Sequence, residues 1–367
     1  MHDYRKDVII MTNLQHNTYK DTKEEVNKLR IAIDTGKAYT KSCYRDNEGN
    51  EITDKFISAI GIVSKNPVRA SDDKAFRCDL FRDGYYIDVP GLCDITPTSD
   101  NEKNGSGLST GENNRDREIV TLGASLSIVK AMKRLGMNRA SVDMSIGAPI
   151  TEYVKPSMNK LEYSNSIIPL NRWIECRYEG ITYNFIVKRS IVCPESISSF
   201  YFNGGTDKGN MILVDIGGNN IQYVCSTNGV INFDREKTFT AKGGVNTFAR
   251  RIHTMMEQNQ IEPVGSVVEI TGWLADPKSI PKGYANNWKE RFRELVETEK
   301  KEYFDRISRN FDTVNGNYKD EIIRGYAVCY TGGGSILFRN EIKASSGIVS
   351  DGREYANVLG FFKMCGW

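Results

Sequence analysis

Two short segments of the sequence repeat one pattern, an apolar strand-like run that stops at an aspartate and turns through glycine. The first is IAIDTGKAYTK, residues 31–41, and the second is ILVDIGGNNIQ, residues 212–222. Their aspartates, Asp34 and Asp215, lie about half a chain length apart. A chain of 367 residues exceeds what one hydrophobic core usually supports, so two lobes are expected. The repeat therefore predicts two lobes of related plan, each contributing one such turn.

The segments around the two turns predict an α/β protein, with strands and helix, a connector, and then strands and helices again. In the first half we expect a meander from residue 30, an amphipathic helix over 118–137, a strand over 141–150 and a hairpin over 171–193 that turns at Glu179-Gly180. Pro194 is predicted in the first turn of a helix over 194–202. The second half predicts helices over 243–258 and 287–311 and a strand from residue 325. Residues 1–29 are predicted to be an extension with little fixed structure, and 99–118, rich in Ser, Asn and Gly, a mobile surface loop.

The composition limits the partners of the protein. With 49 basic and 47 acidic residues the net charge is only +2, which gives no electrostatic reason for direct binding to DNA or to an anionic membrane. The eight cysteines show neither a CxxC pair nor zinc-ligand spacing, so we expect reduced, mostly buried thiols. No segment has the apolar length of a membrane span, which predicts an intracellular protein.

Each of the two turns has the residue types of a phosphate-binding loop. A tight turn after a buried strand presents backbone N–H groups to an anion, and glycine allows close approach. The aspartate can hold Mg²⁺ through its water shell, and Lys41 can supply a charge to a phosphate oxygen. Because neither a GxxxxGK[ST] loop nor a helix-opening GxGxxG is present, we expect two opposed hairpins to grip the phosphates.

Two further features complete a nucleotide site. In YTGGGSIL, the run Gly332–Gly334 offers backbone without side chains on which a base or ribose can lie. Hydrolysis also needs a residue that positions water, and both Glu195 in CPESISSF and Glu152 in PITEYV are candidates.

These motifs, in this order, resemble those of the actin-like nucleotide-binding superfamily, and within it the ParM-type plasmid-segregation actins. The resemblance rests on DTGKAYTK, TEY at 151–153, CPES at 193–196, VDIGGNN, YTGGGSIL and the tail YANVLGFFKMCG at 355–366, over about residues 30 to 367. It implies a bilobed actin-like fold, in which two RNase H-like α/β domains hold the nucleotide in the cleft between them. Domain I would comprise 30–200 with 345–367, and domain II 201–344.

The resemblance also implies roles for individual residues. The first phosphate loop would be formed by Asp34, Thr35, Gly36, Lys37 and Lys41, and the second by Asp215, Gly217, Gly218, Asn219 and Asn220. Gly243 and Gly244 would belong to a further segment that approaches the nucleotide. Adenosine would lie on Gly332, Gly333 and Gly334. Glu195 would position the attacking water with Asp215 as its partner, while Asp34 and Asp215 would anchor Mg²⁺ through water. Many family members have threonines where this chain has Asn219-Asn220, and 1–29 and 99–118 have no counterpart.

The implied function is a cytoplasmic bacterial ATPase that uses ATP, or GTP, with Mg²⁺. It would assemble into helical filaments and segregate plasmid DNA through a ParR-like DNA-binding adaptor at the filament ends, without touching nucleic acid or membrane itself. Three alternatives remain. The first is a sugar-type small-molecule kinase of the same fold, although such kinases usually have an aspartate as the catalytic base. The second is a membrane-associated shape or division scaffold, although no basic amphipathic helix is seen at either end of the sequence, and the third is a non-catalytic nucleotide-gated binding module.

Overall fold

The computed structural model describes residues 26–36, 39–58, 60–62, 76–81, 85–87, 114–207, 209–233, 238–315 and 325–367. Lys37, Cys93, the extension up to residue 25 and residues 99–113 of the predicted loop lie outside the described residues.

The first sheet is built around a central strand that ends at the first aspartate turn. Its strands are β1 (Asn27–Thr35), β2 (Tyr39–Arg45), β3 (Glu51–Ile57), β5 (Arg77–Cys78), β7 (Arg139–Ala148), β8 (Trp173–Tyr178) and β9 (Ile181–Pro194). They follow the order β3-β2-β1-β7-β9-β8-β5, while β4 (Ile60–Ile62) and β6 (Tyr85–Ile87) pair separately. Strand β1 is antiparallel to β2 and parallel to β7. Ile31, Ala32 and Ile33 are fully buried because both faces of this strand are covered.

The second sheet repeats that plan around the second aspartate turn. Its strands are β10 (Met211–Ile216), β11 (Asn220–Thr227), β12 (Val230–Ile231), β13 (Thr238–Lys242), β14 (Ala327–Thr331) and β15 (Ile348–Val349). The order is β12-β11-β10-β14-β15, with β13 also paired to β11. Strand β10 is antiparallel to β11 and parallel to β14, as β1 is to β2 and β7. Both aspartates therefore stand at the carboxyl ends of central strands, next to a hairpin turn.

Ten α-helices occur within the described residues: α1 (Asn114–Arg134), α2 (Ile150–Tyr153), α3 (Lys160–Ile167), α4 (Ile197–Phe202), α5 (Val245–Gln258), α6 (Val267–Ala275), α7 (Asn286–Asn315), α8 (Gly333–Leu337), α9 (Arg339–Ala344) and α10 (Ala356–Met364). Helix α1 has the predicted apolar periodicity, and its Leu122, Leu126 and Val129 are fully buried against the first sheet. Helices α5, α6 and α7 cover the outer face of the second sheet.

Two short helices join the inner faces of the sheets. Phe361 of α10 packs on Ala32 in the first sheet, and Phe200 of α4 packs on Leu213 in the second. The helices touch each other so closely that a Cβ at Gly360 would collide with the carbonyl of Ser198. This contact holds the two sheets with both aspartate turns facing one cleft.

The structure confirms the α/β class and the hairpin turn at Glu179-Gly180, whose φ values of 50° and 75° suit a type I′ turn. The prediction for Pro194 is wrong: it is the last residue of β9, and the helix begins only at Ile197 because Ser196, at φ 59°, turns the chain first. Two boundaries also differ. Helix α1 begins at Asn114, inside the predicted loop, and β1 begins at Asn27, inside the predicted extension.

The domain boundaries stay a prediction. The structure adds that β15 pairs with β14 in the second sheet, whereas α10 packs on the first. The cysteines Cys43, Cys78, Cys176, Cys193, Cys225 and Cys329 are buried, reduced thiols, as expected, and Cys365 is partly buried. In the described part of the chain, no helix combines the length and the apolar character that crossing a membrane requires.

Candidate functional site

A cavity of about 410 Å³ lies between the two sheets and is lined by both aspartate turns. This size is within the range of small-molecule sites. Of the residues predicted for the site, it brings together Asp34, Thr35, Gly36, Lys41, Glu195, Asp215, Gly217, Gly218, Asn219, Asn220, Gly332 and Gly333. Gly243, Gly244, Gly334 and Glu152 do not line it.

The first turn carries its own ion pair. Asp34 lies directly opposite Lys41 in the β1–β2 register, and Lys41 Nζ donates to Asp34 Oδ2 at 3.3 Å. Burial lowers the pKa of Lys41, but the carboxylates of Asp34 and Asp215 outweigh burial and raise this pKa above its usual value. The turn is tight, since a Cβ at Gly36 would lie 2.8 Å from the carbonyl oxygen of Tyr39.

The second turn has the same register but a neutral partner. Asp215 lies opposite Gln222, and its Oδ2 accepts hydrogen bonds from Ser196 Oγ and Asn357 Nδ2, both at 3.0 Å. Burial raises the pKa of Asp215, against the lowering effect of Lys41. The carboxylate of Asp215 is thus stabilised by uncharged hydrogen-bond donors, whereas that of Asp34 is stabilised by the ammonium of Lys41.

Helix α5 braces the second turn from behind. Val245 N–H donates to Gly217 O at 3.0 Å, and Asn246 N–H donates to Gly218 O at 2.7 Å. A Cβ at Gly244 would collide with Gly217 O, so only glycine allows this approach. Gly243 and Gly244 therefore support the loop, and they do not face the cavity themselves.

Glu195 follows the end of β9 and reaches the cavity. Its N–H donates to Ala148 O at 2.9 Å, which fixes the backbone, and Gln222 Nε2 donates to its Oε2 at 3.2 Å. Burial, with the nearby carboxylates of Asp34 and Asp215, raises the pKa of Glu195 to about 8. A glutamate that titrates near neutral pH is suited to exchange a proton with water.

The other glutamate candidate is placed differently. Glu152 lies in α2, its side chain is half exposed, and its Oε1 pairs with Lys155 Nζ at 2.5 Å. The geometry thus favours Glu195 as the residue that positions water.

The sequence did not reveal three polar side chains that hydrogen-bond to Asp215 or to Glu195, namely Ser196, Gln222 and Asn357. Ser196 Oγ lies 2.7 Å from Gln222 Oε1 as well as 3.0 Å from Asp215 Oδ2, so its one proton serves one acceptor at a time. Gln222 and Ser196 thereby link Glu195 to Asp215, and Asn357 of α10 completes the link. The repeat itself could have revealed Gln222, because this residue stands as far after Asp215 as Lys41 stands after Asp34. Nothing local in the sequence marks Asn357.

The glycine run lets α8 approach the second turn. Gly332 has a φ of 80°, and a Cβ there would collide with Asp215 Oδ1; a Cβ at Gly334 would collide with the side chain of Ile216. Gly332 N–H donates to Arg353 O at 3.2 Å.

The lining of the cavity combines apolar and charged side chains. Its apolar residues include Ile119, Val120, Leu274, Ala275, Ile336 and Leu337. Its charged residues include Asp34, Asp215 and Glu195, and Lys41 pairs with Asp34. Since carboxylates outnumber ammonium groups in the lining, this set of donors suits a divalent cation bound together with an anion. No three His, Cys, Asp or Glu side chains of the described ranges are grouped closely enough to hold a metal by themselves.

Comparison with known proteins supports the fold. No model of a known protein family matches the sequence, and no curated protein matches it. Among solved structures, ParM of Bacillus thuringiensis with ATP matches with a TM-score of 0.63 and 14% identity over 92% of this chain and 98% of that chain. The protein has the actin-like fold.

Two filament structures agree with this fold. A 15-stranded ParM filament from Clostridium botulinum matches with a TM-score of 0.61 and 16% identity over 93% of this chain and 99% of that chain. An AlfA filament from B. subtilis plasmid pLS32 matches with a TM-score of 0.56 and 15% identity over 92% and 98%. At these identities the likeness concerns the actin-like fold alone.

Proposed function

We propose that the protein is a cytoplasmic actin-like ATPase whose filaments segregate plasmid DNA through an adaptor protein. The observation that carries the proposal is one cavity that receives an aspartate-glycine turn from each sheet, with Glu195 also in its lining. The fold shared with a ParM solved with ATP, and with ParM and AlfA filaments, supports it.

The two turns would bind the phosphates of ATP or GTP. In the first turn Lys41 supplies charge, with Asp34, Thr35 and Gly36 around it; Lys37 stays a prediction. In the second turn Gly217 N–H is already bonded to Asn220 O at 2.9 Å, so we assign the phosphate contacts to Gly218 and Asn219. The apolar residues of the lining and the run Gly332–Gly334 would hold the base and ribose.

The carboxylate excess fits Mg²⁺. Asp34 and Asp215 would hold the ion through its water shell, and when bound it neutralises charge on the phosphates.

Glu195 would position the attacking water and accept its proton. Gln222 holds one carboxylate oxygen, which leaves the other for the water. Because only the ionised carboxylate can accept a proton, we expect turnover to rise with pH below about pH 8.

Hydrolysis would be coupled to assembly through the cleft. A nucleotide held by turns from both sheets keeps the lobes together, and loss of the terminal phosphate removes contacts to both. Head-to-tail contacts between copies build an open helical filament, so nucleotide state would set its stability. The near-neutral charge agrees with a DNA-binding adaptor, ParR-like, at the filament ends.

Phosphate release and light scattering, measured together on the purified protein with Mg-ATP, test this function. We expect turnover and scattering that both rise with protein concentration, and filaments in electron micrographs. Glu195→Gln should keep ATP binding and assembly while slowing phosphate release at least about tenfold. Turnover stimulated by sugars without any assembly would instead identify a small-molecule kinase and overturn the proposal.

A further inference from the structure

Lys55 on β3 continues a row of charged residues that begins with Asp34 on β1 and Lys41 on β2. In the registers of β1, β2 and β3, Asp34 lies opposite Lys41, and Lys41 lies opposite Lys55. Directly opposed residues of neighbouring strands project from the same face of a sheet. All three line the cavity, so two adjacent lysines face the cleft.

Opposed lysines repel each other, so each needs a compensating anion. Lys41 has Asp34. Lys55 has Glu354, whose Oε1 lies 2.6 Å from Lys55 Nζ. Glu354 belongs to a 3₁₀ turn, Arg353–Tyr355, that follows the last strand of the second sheet, so this ion pair spans the cleft.

The two side chains of this ion pair differ in their exposure to solvent. The side chain of Glu354 is only 12% exposed, whereas that of Lys55 is 42% exposed. The turn carrying Glu354 is tied to the glycine run, because Arg353 O accepts hydrogen bonds from Gly332 N–H and from Thr331 Oγ1. Glu354 is thus the more buried partner, and Lys55, whose Nζ also lies 5.4 Å from the ring centroid of Tyr39, is an ammonium on a flexible four-carbon stem.

Not every charged side chain of β3 faces the cleft as Lys55 does. Asp54, adjacent in β3, projects from the opposite face and pairs with Lys130 of α1 at 3.4 Å, and Lys130 Nζ also lies 5.0 Å from the ring centroid of Phe56. That ion pair lies outside the cavity lining.

We propose that Lys55 is a further ligand of the nucleotide's phosphate chain, released from Glu354 when the phosphates enter the cavity. The inference rests on the proposed function, since it assumes a nucleotide in this cleft. A phosphate chain carries more negative charge than one carboxylate and enters beside Lys41, one strand away from Lys55. Lys55 therefore exchanges its carboxylate for a phosphate oxygen, and Glu354 acts as the competitor that holds Lys55 in the empty cleft.

Calorimetric titration of the full chain with adenosine, ADP and ATP in the presence of Mg²⁺ tests the exchange. Lys55→Met should weaken ADP and ATP binding about tenfold and leave adenosine binding unchanged. Glu354→Gln should tighten ADP and ATP binding about threefold, because the competitor is gone. The double variant should bind like Lys55→Met, and Lys130→Met, the control, like the unmodified protein.

Two results would overturn the inference. If Lys55→Met binds ADP and ATP as tightly as the unmodified protein, Lys55 is no phosphate ligand. If it weakens adenosine as much as ADP, the ion pair only holds the cleft in shape. Binding of neither ADP nor ATP by the unmodified protein would instead refute the proposed function itself.

Discussion

The two aspartate turns share one backbone plan but compensate their buried carboxylates differently. In the first, Asp34 faces Lys41 across the hairpin; in the second, Asp215 faces Gln222. The first turn is balanced by an ion pair. The second relies on neutral donors, Ser196 among them, and on the backbone of α5.

This difference separates two tasks. The ion pair makes the first turn a ready source of positive charge for phosphates. At the second turn the pKa values of both Asp215 and Glu195 are raised, because burial is not offset by a cation of their own. The second turn is therefore the half of the site that gains most from a bound cation, and its Gln222 orients the proton-accepting group, Glu195.

The largest expected effect comes from removing the cation of the first turn. Lys41→Met leaves the carboxylate of Asp34 buried without its partner, so we expect the free energy of unfolding to fall by about 3 kcal/mol, measured by urea denaturation without nucleotide. Adding Asp34→Asn should restore most of the loss. Lys28→Met, which breaks the more exposed pair with Asp143, should cost no more than about 1 kcal/mol. Equal losses in both single variants would contradict the buried-pair account.

The next effect concerns the brace behind the second turn. Gly244→Ala forces a methyl group against Gly217 O, and we expect a loss of about 2 kcal/mol in the same denaturation assay, with weaker nucleotide binding. Gly272→Ala is the matched control, since a Cβ there, within α6, meets no atom within 4 Å. A Gly244→Ala protein as stable as this control would show that α5 does not support the turn.

A smaller effect is expected at the neutral partner of the second turn. Gln222→Leu removes the hydrogen bond that orients Glu195, so kcat should fall about tenfold while the Kd for ATP stays nearly constant. Gln258→Leu, the same change at the exposed end of α5, should leave both unchanged. A fall in affinity without a change in kcat would assign Gln222 to nucleotide binding instead of orientation.

A further effect is a pH dependence of stability. The pKa of Glu195 is about 8 in the fold against 4.5 as the ordinary value, so the unfolded chain releases this proton first as pH rises. The contribution of Glu195 to the free energy of unfolding is therefore complete at low pH and is lost progressively up to about pH 8. Glu195→Gln should match the unmodified protein closely in Tm near about pH 5 and exceed it by about 5 °C near about pH 8. An equal Tm difference at both values would contradict the raised pKa.

The turns themselves were predictable because their geometry is local. A strand, an aspartate and a glycine within a few residues fix the hairpin register, which sets Asp34 opposite Lys41. The same local pattern identified Asp215, and three adjacent glycines after a strand identified the run Gly332–Gly334; these residues line or adjoin the cavity.

The remaining parts of the site depend on contacts between distant segments. Asn357 reaches Asp215 from the terminal helix, and Glu354 reaches Lys55 across the cleft, and no local pattern indicates either contact. The prediction for Pro194 was wrong for a different reason, because here a local preference was present but did not decide the structure. Its preference for a first helical turn was overridden by pairing with Ala148 in the first sheet.

A structure of the protein with Mg²⁺ and a non-hydrolysable ATP analogue, determined by electron cryo-microscopy, would show directly whether the two aspartate turns bind the phosphates together. We expect the phosphates to lie between the two turns, within hydrogen-bonding distance of Lys41 from one side and of the Gly218 backbone from the other. Phosphates that touch one turn only, or a nucleotide bound outside this cleft, would contradict it.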